Sequence, residues 1–167
     1  MGLGGYRASS PNYIGMPGMH GCYEANMAMQ HADVILAVGA RFDDRVVGNP
    51  KHFGQVARKI IHIDVDPSSI SKRVRADVPI VGDVKDVLTD MLAQLREMNF
   101  QANPAKIEKW WEQINAWRAI DSLSYDRSSQ LVKPQKVIET LHRLTNGEAF
   151  ITSDVGQHQM FAAQYYP

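Results

Sequence analysis

The spacing of apolar residues changes several times along the chain, and each change marks an element. Residues 22–32 are rich in Ala, Met, Glu and Gln and predict a helix. Residues 33–39, Asp-Val-Ile-Leu-Ala-Val-Gly, form a short continuous apolar run of the kind found in parallel strands buried on both faces. Residues 59–65 make a second β-type run and residues 79–82 a third, with Pro67-Ser68-Ser69-Ile70 between them as a turn and helix start. After Asp83 the period lengthens. Val84, Val87, Leu88, Met91, Leu92 and Leu95 fall on one helical stripe. Strands alternating with helices predict an α/β fold with a doubly wound, mostly parallel sheet.

Residues 99–104 are polar and end in Pro, which reads as a domain edge. An amphipathic helix follows, with Ile107, Trp110, Trp111, Ile114 and Trp117 on one side. Beyond the polar stretch 124–130, Pro134 opens another helix, where its missing N–H costs nothing, with Val137, Ile138, Leu141 and Leu144 turned inward. Asn146-Gly147 closes it, and residues 149–153 predict a strand running into Asp154-Val155-Gly156-Gln157-His158. The expected organisation is therefore a domain over residues 1–98, a helical linker over 99–131, and the truncated start of a second α/β domain over 132–167. The chain opens on a glycine-rich loop instead of a strand, so the first domain also reads as truncated and Met1 as an internal methionine.

Composition narrows the function classes. Lys plus Arg and Asp plus Glu are 18 each over 167 residues, a balance that argues against a nucleic-acid binder. The 44% hydrophobic and 22% charged content is that of a globular protein. One cysteine, Cys22, permits no internal disulfide. Apolar runs are too short for a membrane span, and residues 1–20 have no apolar signal segment. These features point to a cytoplasmic protein without membrane or nucleic-acid partners.

Candidate chemistry gathers at strand ends, where open α/β sheets bind ligands. Gly39-Ala40-Arg41-Phe42-Asp43-Asp44-Arg45 follows the first strand. Its glycine admits a ligand close to the backbone, and Arg41 and Arg45 offer guanidinium groups to phosphate or carboxylate. His62, Asp64 and Asp66 alternate along the second strand, a pattern open to a metal site but better read as a carboxylate receiving ribose hydroxyls. Asp66 also suits an Asx turn before Pro67. Gly82-Asp83 ends the third strand, with Asp83 where a helix N-cap belongs. Gly15-Met16-Pro17-Gly18-Met19-His20-Gly21 is a flexible turn into a helix, and Val155-Gly156-Gln157-His158 could cradle a diphosphate.

Taken in order, residues 15–21, 38–45, 62–67, 82–83 and 153–159 resemble the catalytic large subunit of acetohydroxyacid synthase, or acetolactate synthase. The string Ala-Arg-Phe-Asp-Asp-Arg is the most specific part of the likeness. The resemblance covers essentially the whole chain and implies a Rossmann-like central domain joined to the start of a thiamine diphosphate domain. The implied activity condenses pyruvate with pyruvate or 2-ketobutyrate, with loss of CO2, in branched-chain amino acid biosynthesis. The implied cofactors are FAD, thiamine diphosphate and Mg²⁺. The resemblance puts Met19, His20, Gly39, Ala40, Arg41, Asp43, Arg45, Asp64, Val65, Gly82, Asp83 and Val84 around the flavin. It puts Val155, Gly156, Gln157 and His158 on the thiamine diphosphate tail, and Met19, Asp44 and Arg45 by the substrate channel.

The activating glutamate and the Mg²⁺ ligands of the family fall outside residues 1–167 in this alignment of motifs, so no residue here is expected to be catalytic or to bind metal. Expected partners are the remaining domains of the same polypeptide, a second catalytic subunit in a homodimer, and a small regulatory subunit. Pro17 and Arg7 depart from the family's usual Leu and Pro. Two rival readings remain, a stand-alone nucleotide-binding or interaction module and a different thiamine-dependent carboligase.

Overall fold

The computed structural model describes residues 2, 4–53 and 58–166; Met1, whose reading as an internal methionine was raised above, lies outside them. Among the described residues the order is α1 (Tyr23–His31), β1 (Val34–Val38), α2 (Asp44–Val47), α3 (Pro50–Phe53), β2 (Lys59–Asp64), β3 (Val78–Val81), α4 (Val84–Glu97), α5 (Ala105–Arg118), α6 (Pro134–Thr145) and α7 (Gln157–Tyr165). Packing divides the chain into two compact units, one of Met27–Gln113 and one of Met1–Asn26 with Ile114–Pro167.

The first unit is built on a three-stranded sheet in the order β1-β2-β3, parallel throughout. This is the α/β, Rossmann-like arrangement the alternating pattern predicts, although the strand order contains no reversal among the described residues. Register pairs Ile35 with Ile60 and Ala37 with His62, so these side chains share one face. That face carries the core, where Ala37, Phe42, Val47, Phe53 and Ile60 cluster with Met29, Ile35, Val46 and Val74 against them. Ile63 lies on the opposite face of β2 and is completely buried.

The burial on both faces expected for the first run is not seen in β1, and it is the central strand β2 that comes nearest to it. Val34, Leu36 and Val38 of β1 are exposed, as are Val78 and Val81 of β3. Among the described strands only β2 has a strand on each side; β1 is covered on its Ile35 and Ala37 face, and in β3 only Ile80 is half-buried. Helix α4 packs against β2. Its stripe is accordingly half-buried at Val84, Val87, Leu88 and Met91, while Leu92 and Leu95 are exposed.

Side chains close the ends of these elements. The Arg58 guanidinium donates to the carbonyls of Met29 (2.8 Å) and Gln30 (2.7 Å), in the last turn of α1. It also lies 4.6 Å over the Phe53 ring, and partial burial lowers its pKa. Asp77 accepts from the Ile60 amide (2.9 Å) and from Lys59 (3.1 Å), which joins the entry of β3 to the start of β2. The Ile60 bond, then Lys59, holds the Asp77 carboxyl below its ordinary value.

In the second unit, α6 opens on Pro134 and closes on Asn146 in the left-handed region, as its sequence signals require. Its burial is the reverse of the expected one. Val137, Leu141 and Leu144 are exposed and only Ile138 is half-buried. The face that meets neighbours is polar: Glu139 bonds Tyr125 and Arg127, and His142 and Thr145 meet Tyr166. The strand expected at residues 149–153 is also absent. No strand of this unit pairs with it among the described residues, and Phe150 is fully exposed. Of the α5 residues that belong to this unit, Ile114 is buried and Trp117 half-buried; in the first unit Trp110 and Trp111 are half-buried and Ile107 is exposed.

Two outcomes follow from this packing. Ile63→Ala is expected to cost ~2–5 kcal/mol in the first unit, read as faster amide exchange along β2. Arg127, then Tyr125, holds the Glu139 carboxyl below its usual value. Its contribution is therefore complete above the unfolded-state value and disappears as pH falls through the lowered folded value. Glu139→Gln should lower the thermal midpoint near neutral pH, and the gap to the parent should close in acid; a gap independent of pH would contradict the assignment.

Candidate functional site

Parallel pairing sets the C-terminal ends of all three strands along one edge of the sheet. Two backbone bonds lock the turns there to β2. The Gly39 amide donates to the Ile63 carbonyl (2.9 Å), and the Gly82 amide donates to the Asp64 carbonyl (3.1 Å). The structure thus brings together the turn 39–45, the Asp64-Val65 end of β2 and the Gly82-Asp83-Val84 corner. Gly39 has φ 62°, in the left-handed region, and a Cβ added there would meet nothing within 4 Å. The backbone is open to a ligand at that point.

Phe42 explains how the charged turn is held. It has φ 53°, unusual for a residue with a side chain, and its ring is buried. The ring meets Phe53 at 6.0 Å and stands edge-on to His62 at 5.3 Å. With Phe42 anchored in the core, Arg41 stays at the surface, its guanidinium 3.6 Å from Asp43, with 72% of its side chain exposed. Asp43 caps α2, accepting from the amides of Arg45 (3.0 Å) and Val46 (3.2 Å). Its carboxylate is therefore engaged locally. Asp44 begins α2 one residue later.

The acidic residues of the strand ends separate into distinct environments. His62 and Asp64 lie on one face of β2, as period 2 predicts, and both are buried. Both ring nitrogens of His62 lack a hydrogen-bond partner, and Nε2 lies 3.9 Å from the Asp64 carboxylate. Asp64 accepts from the Asp66 amide (2.9 Å). Asp66 forms the Asx turn, accepting from the Ser68 amide (2.9 Å) and the hydroxyls of Ser68 (2.9 Å) and Ser69 (3.1 Å). The Ser68 bonds hold its carboxyl below the ordinary range. Asp83 caps α4 through the Lys85 amide (2.8 Å). Val65, just past the end of β2, is 71% exposed. No group of three His, Cys, Asp or Glu among the described residues is arranged to hold a metal ion.

In the second unit, the loop at residues 15–22 is fixed by its own contacts rather than flexible as its glycines suggest. Asn26 on α1 clamps Gly18 from both sides, accepting from its amide (2.7 Å) and donating to its carbonyl (3.0 Å). The Gly21 amide donates to Gly18 O and the Cys22 amide to Met16 O, each at 3.0 Å. A Cβ at Gly21 would lie 2.1 Å from the Met16 carbonyl oxygen, so only glycine closes this loop. Cys22 is buried with its thiol directed at Ile14 O, and burial pushes its pKa up. Met19, at the tip, is 65% exposed, and His20 is half-buried.

Val155-Gly156-Gln157-His158 lies at the start of α7 in the same unit. Gly156 is the N-cap and supplies no side-chain bond, which leaves the first amides of α7 uncapped by a side chain. The Val155 amide already donates to the Asp154 carboxylate (2.7 Å), so it is less available than the sequence suggests. A Cβ at Gly156 would approach the His158 ring to 2.8 Å. A cleft of about 650 Å³ sits in this unit beside Tyr125, Arg127, Glu139 and Tyr165. There Arg127 makes a two-point ion pair with Glu139, at 2.6 and 2.8 Å, and lies 4.6 Å over the Tyr125 ring.

Sequence reasoning missed two side chains that shape the loop at 15–22. Asn26 reads as one polar position inside a helix. Gln164, on α7, donates from Nε2 to the His20 carbonyl (2.7 Å), across 144 residues of sequence. Nothing in local spacing signals a bond of that range.

The profile of the central domain of thiamine pyrophosphate enzymes matches residues 1–91. The chain is 56% identical over 167 residues to the acetolactate synthase isozyme 3 large subunit of Escherichia coli, covering all of this chain and 29% of that protein. It is 50% identical to the acetolactate synthase large subunit of Haemophilus influenzae with the same coverage. It is 44% identical to the acetolactate synthase of Mycobacterium bovis, over 99% of this chain and 26% of that protein. The chain therefore spans under a third of the length of these relatives.

The Asn26 clamp yields a direct test. Asn26→Leu removes two hydrogen bonds, each contributing ~1 kcal/mol, and should speed exchange of the Gly18 amide about tenfold or more while α1 keeps its protection. Unchanged exchange at Gly18 would show that the loop is held by other means.

Proposed function

The chain belongs to the thiamine pyrophosphate enzymes, and from that membership we propose that it is a stretch of an acetolactate synthase large subunit. The whole polypeptide would condense pyruvate with pyruvate or 2-ketobutyrate, with loss of CO2, in the route to valine, leucine and isoleucine. The observation that carries the proposal is 56% identity over the entire chain to a large subunit of that enzyme. In this reading residues 1–98 are the flavin-binding part of the central domain, 99–131 connect, and 132–167 open the thiamine diphosphate domain.

The residues fit the implied groups. For FAD, the open backbone at Gly39 beside exposed Ala40 admits a ligand, and the surface guanidinium of Arg41 suits a phosphate. Arg45, beside Asp44 at the start of α2, faces the flavin or the substrate carboxylate in this assignment. Asp64 and Val65 with Gly82, Asp83 and Val84 would take the adenosine half. Buried Asp64 offers a carboxylate and exposed Val65 an apolar surface. The capping duty of Asp43 and Asp83 gives them a role in shaping the site, beside any direct contact. Met19 and His20 would line the flavin-side loop, with Met19 at the substrate channel.

For thiamine diphosphate, the start of α7 without a side-chain cap and its glycine N-cap suit an anion, with Gln157 and His158 exposed beside it. When bound, thiamine diphosphate supplies the electron sink for loss of CO2 from a 2-keto acid. The chain's own part is to bind the diphosphate through backbone amides of Gly156 and Gln157 and to present Met19 and Arg45 to the substrate. Mg²⁺ would be held by residues outside 1–167. A second catalytic subunit and a small regulatory subunit are the proposed partners, and the cytoplasm the proposed location. No described helix is long and apolar enough to cross a membrane.

The test uses the whole polypeptide. Purified, it should show flavin absorbance and form acetolactate from pyruvate only when thiamine diphosphate and Mg²⁺ are supplied. Arg41→Ala should weaken flavin binding roughly tenfold, the loss of about one charge-assisted hydrogen bond. Undiminished flavin affinity would remove Arg41 from the site, and absence of pyruvate decarboxylation with both cofactors present would end the proposal.

A further inference from the structure

Helix α7 touches two places that the proposed function gives to different cofactors. Its first turn begins at the Gly156-Gln157 corner, where no side chain caps the helix and to which the proposed function assigns the diphosphate. Near its other end, Gln164 Nε2 donates to the His20 carbonyl at 2.7 Å, in a partly buried setting. Gln157 and Gln164 are seven residues apart, two helical turns, so they lie on one face about 10 Å from each other along the axis. A helix of two and a half turns is stiff over that distance.

Each end of this connection is firmly held. The Tyr165 hydroxyl donates to Leu123 O (2.8 Å), and Tyr166 meets His142 edge-on at 4.9 Å and pairs its hydroxyl with Thr145 at 3.0 Å. The loop carrying His20 moves as one piece, because Asn26 grips Gly18 and the Gly21 and Cys22 amides close it. A displacement of His20 O therefore carries Met19, the exposed tip, with it. Gln164 supplies a side-chain bond from α7 to the loop between the two anchored parts.

The geometry points to Gln164 as a positioning residue that couples the thiamine diphosphate turn to the flavin-side loop. It touches neither cofactor. Ordering of the first turn of α7 by a diphosphate sets the position of Gln164, which sets His20 O and so Met19. Coupling of this kind is reciprocal: each cofactor tightens the other's binding by the same factor. The inference rests on the functional reading above and deepens it.

The test is a linkage measurement on the whole polypeptide, freed of cofactors. FAD affinity is titrated by flavin fluorescence without thiamine diphosphate and with saturating thiamine diphosphate and Mg²⁺. The parent should show tighter FAD binding with the second cofactor, by a factor of about five or more. Gln164→Leu, and Gln164→Glu, which keeps the length and loses the donor, should bring that factor close to one. Each variant should still bind either cofactor alone within about threefold of the parent, a pattern a general loss of structure would not produce. A factor unchanged in both variants, or no linkage in a parent that binds both cofactors, overturns the role of Gln164. A parent that binds neither cofactor overturns the functional reading instead. Amide exchange of the unmodified polypeptide gives a second readout that needs no variant. Thiamine diphosphate and Mg²⁺ alone should raise protection over residues 16–22, and unchanged protection there would also overturn the inference.

Discussion

The site in the first unit depends on parallel pairing along both edges of β2. A parallel ladder makes every strand finish at the same edge, so turns that are far apart in sequence become neighbours there. The bonds from Gly39 to Ile63 O and from Gly82 to Asp64 O extend the ladder one residue past the strands and fix the turns at their bases. The buried face supplies the rest. Phe42 is drawn into the core beside Phe53 and His62, and that anchor turns Arg41 outward. Charge at the surface of this turn is a consequence of an aromatic ring beneath it.

The second unit achieves rigidity differently. Its loop at 15–22 has little regular structure, and polar side chains satisfy its backbone. Asn26 serves Gly18, Gln164 serves His20, and the Arg118 guanidinium donates to Tyr13 O at 2.6 Å. Each of these bonds orders a peptide group without the entropy cost of building another element. An exposed methionine at the tip of so constrained a loop presents an apolar surface in a defined place.

Several apolar faces have no cover among the described residues. Val34, Leu36 and Val38 on β1, Leu92 and Leu95 on α4, and Val137, Leu141 and Leu144 on α6 are all exposed. Their periodicity is that of core-facing elements, and the chain spans 29% of the length of the Escherichia coli relative. Binary pattern reports which side of an element prefers burial, while burial itself requires something to pack against it. The same limit removes the strand expected at 149–153. A β-run becomes a strand by pairing, and Phe150 stands fully exposed with no partner strand in its unit.

The features legible along the chain are local and periodic. The runs at 33–39, 59–65 and 79–82 are strands to within a residue or so, and α1, α4, α5 and α6 follow from helical spacing and from signals such as Pro134 and Asn146. Asp66 as an Asx turn and Asp83 as a cap were legible too, because both act on amides two residues away. The string 40–45 was legible as a site through its concentration of charge and its family likeness, but not the buried ring that shapes it. Packing settled the rest: that β2 is the central strand of those described, that the polar side of α6 meets its neighbours, and that Gln164 reaches His20. Those outcomes depend on groups brought together by packing across long stretches of chain, and neither spacing nor propensity along the chain encodes such a distance.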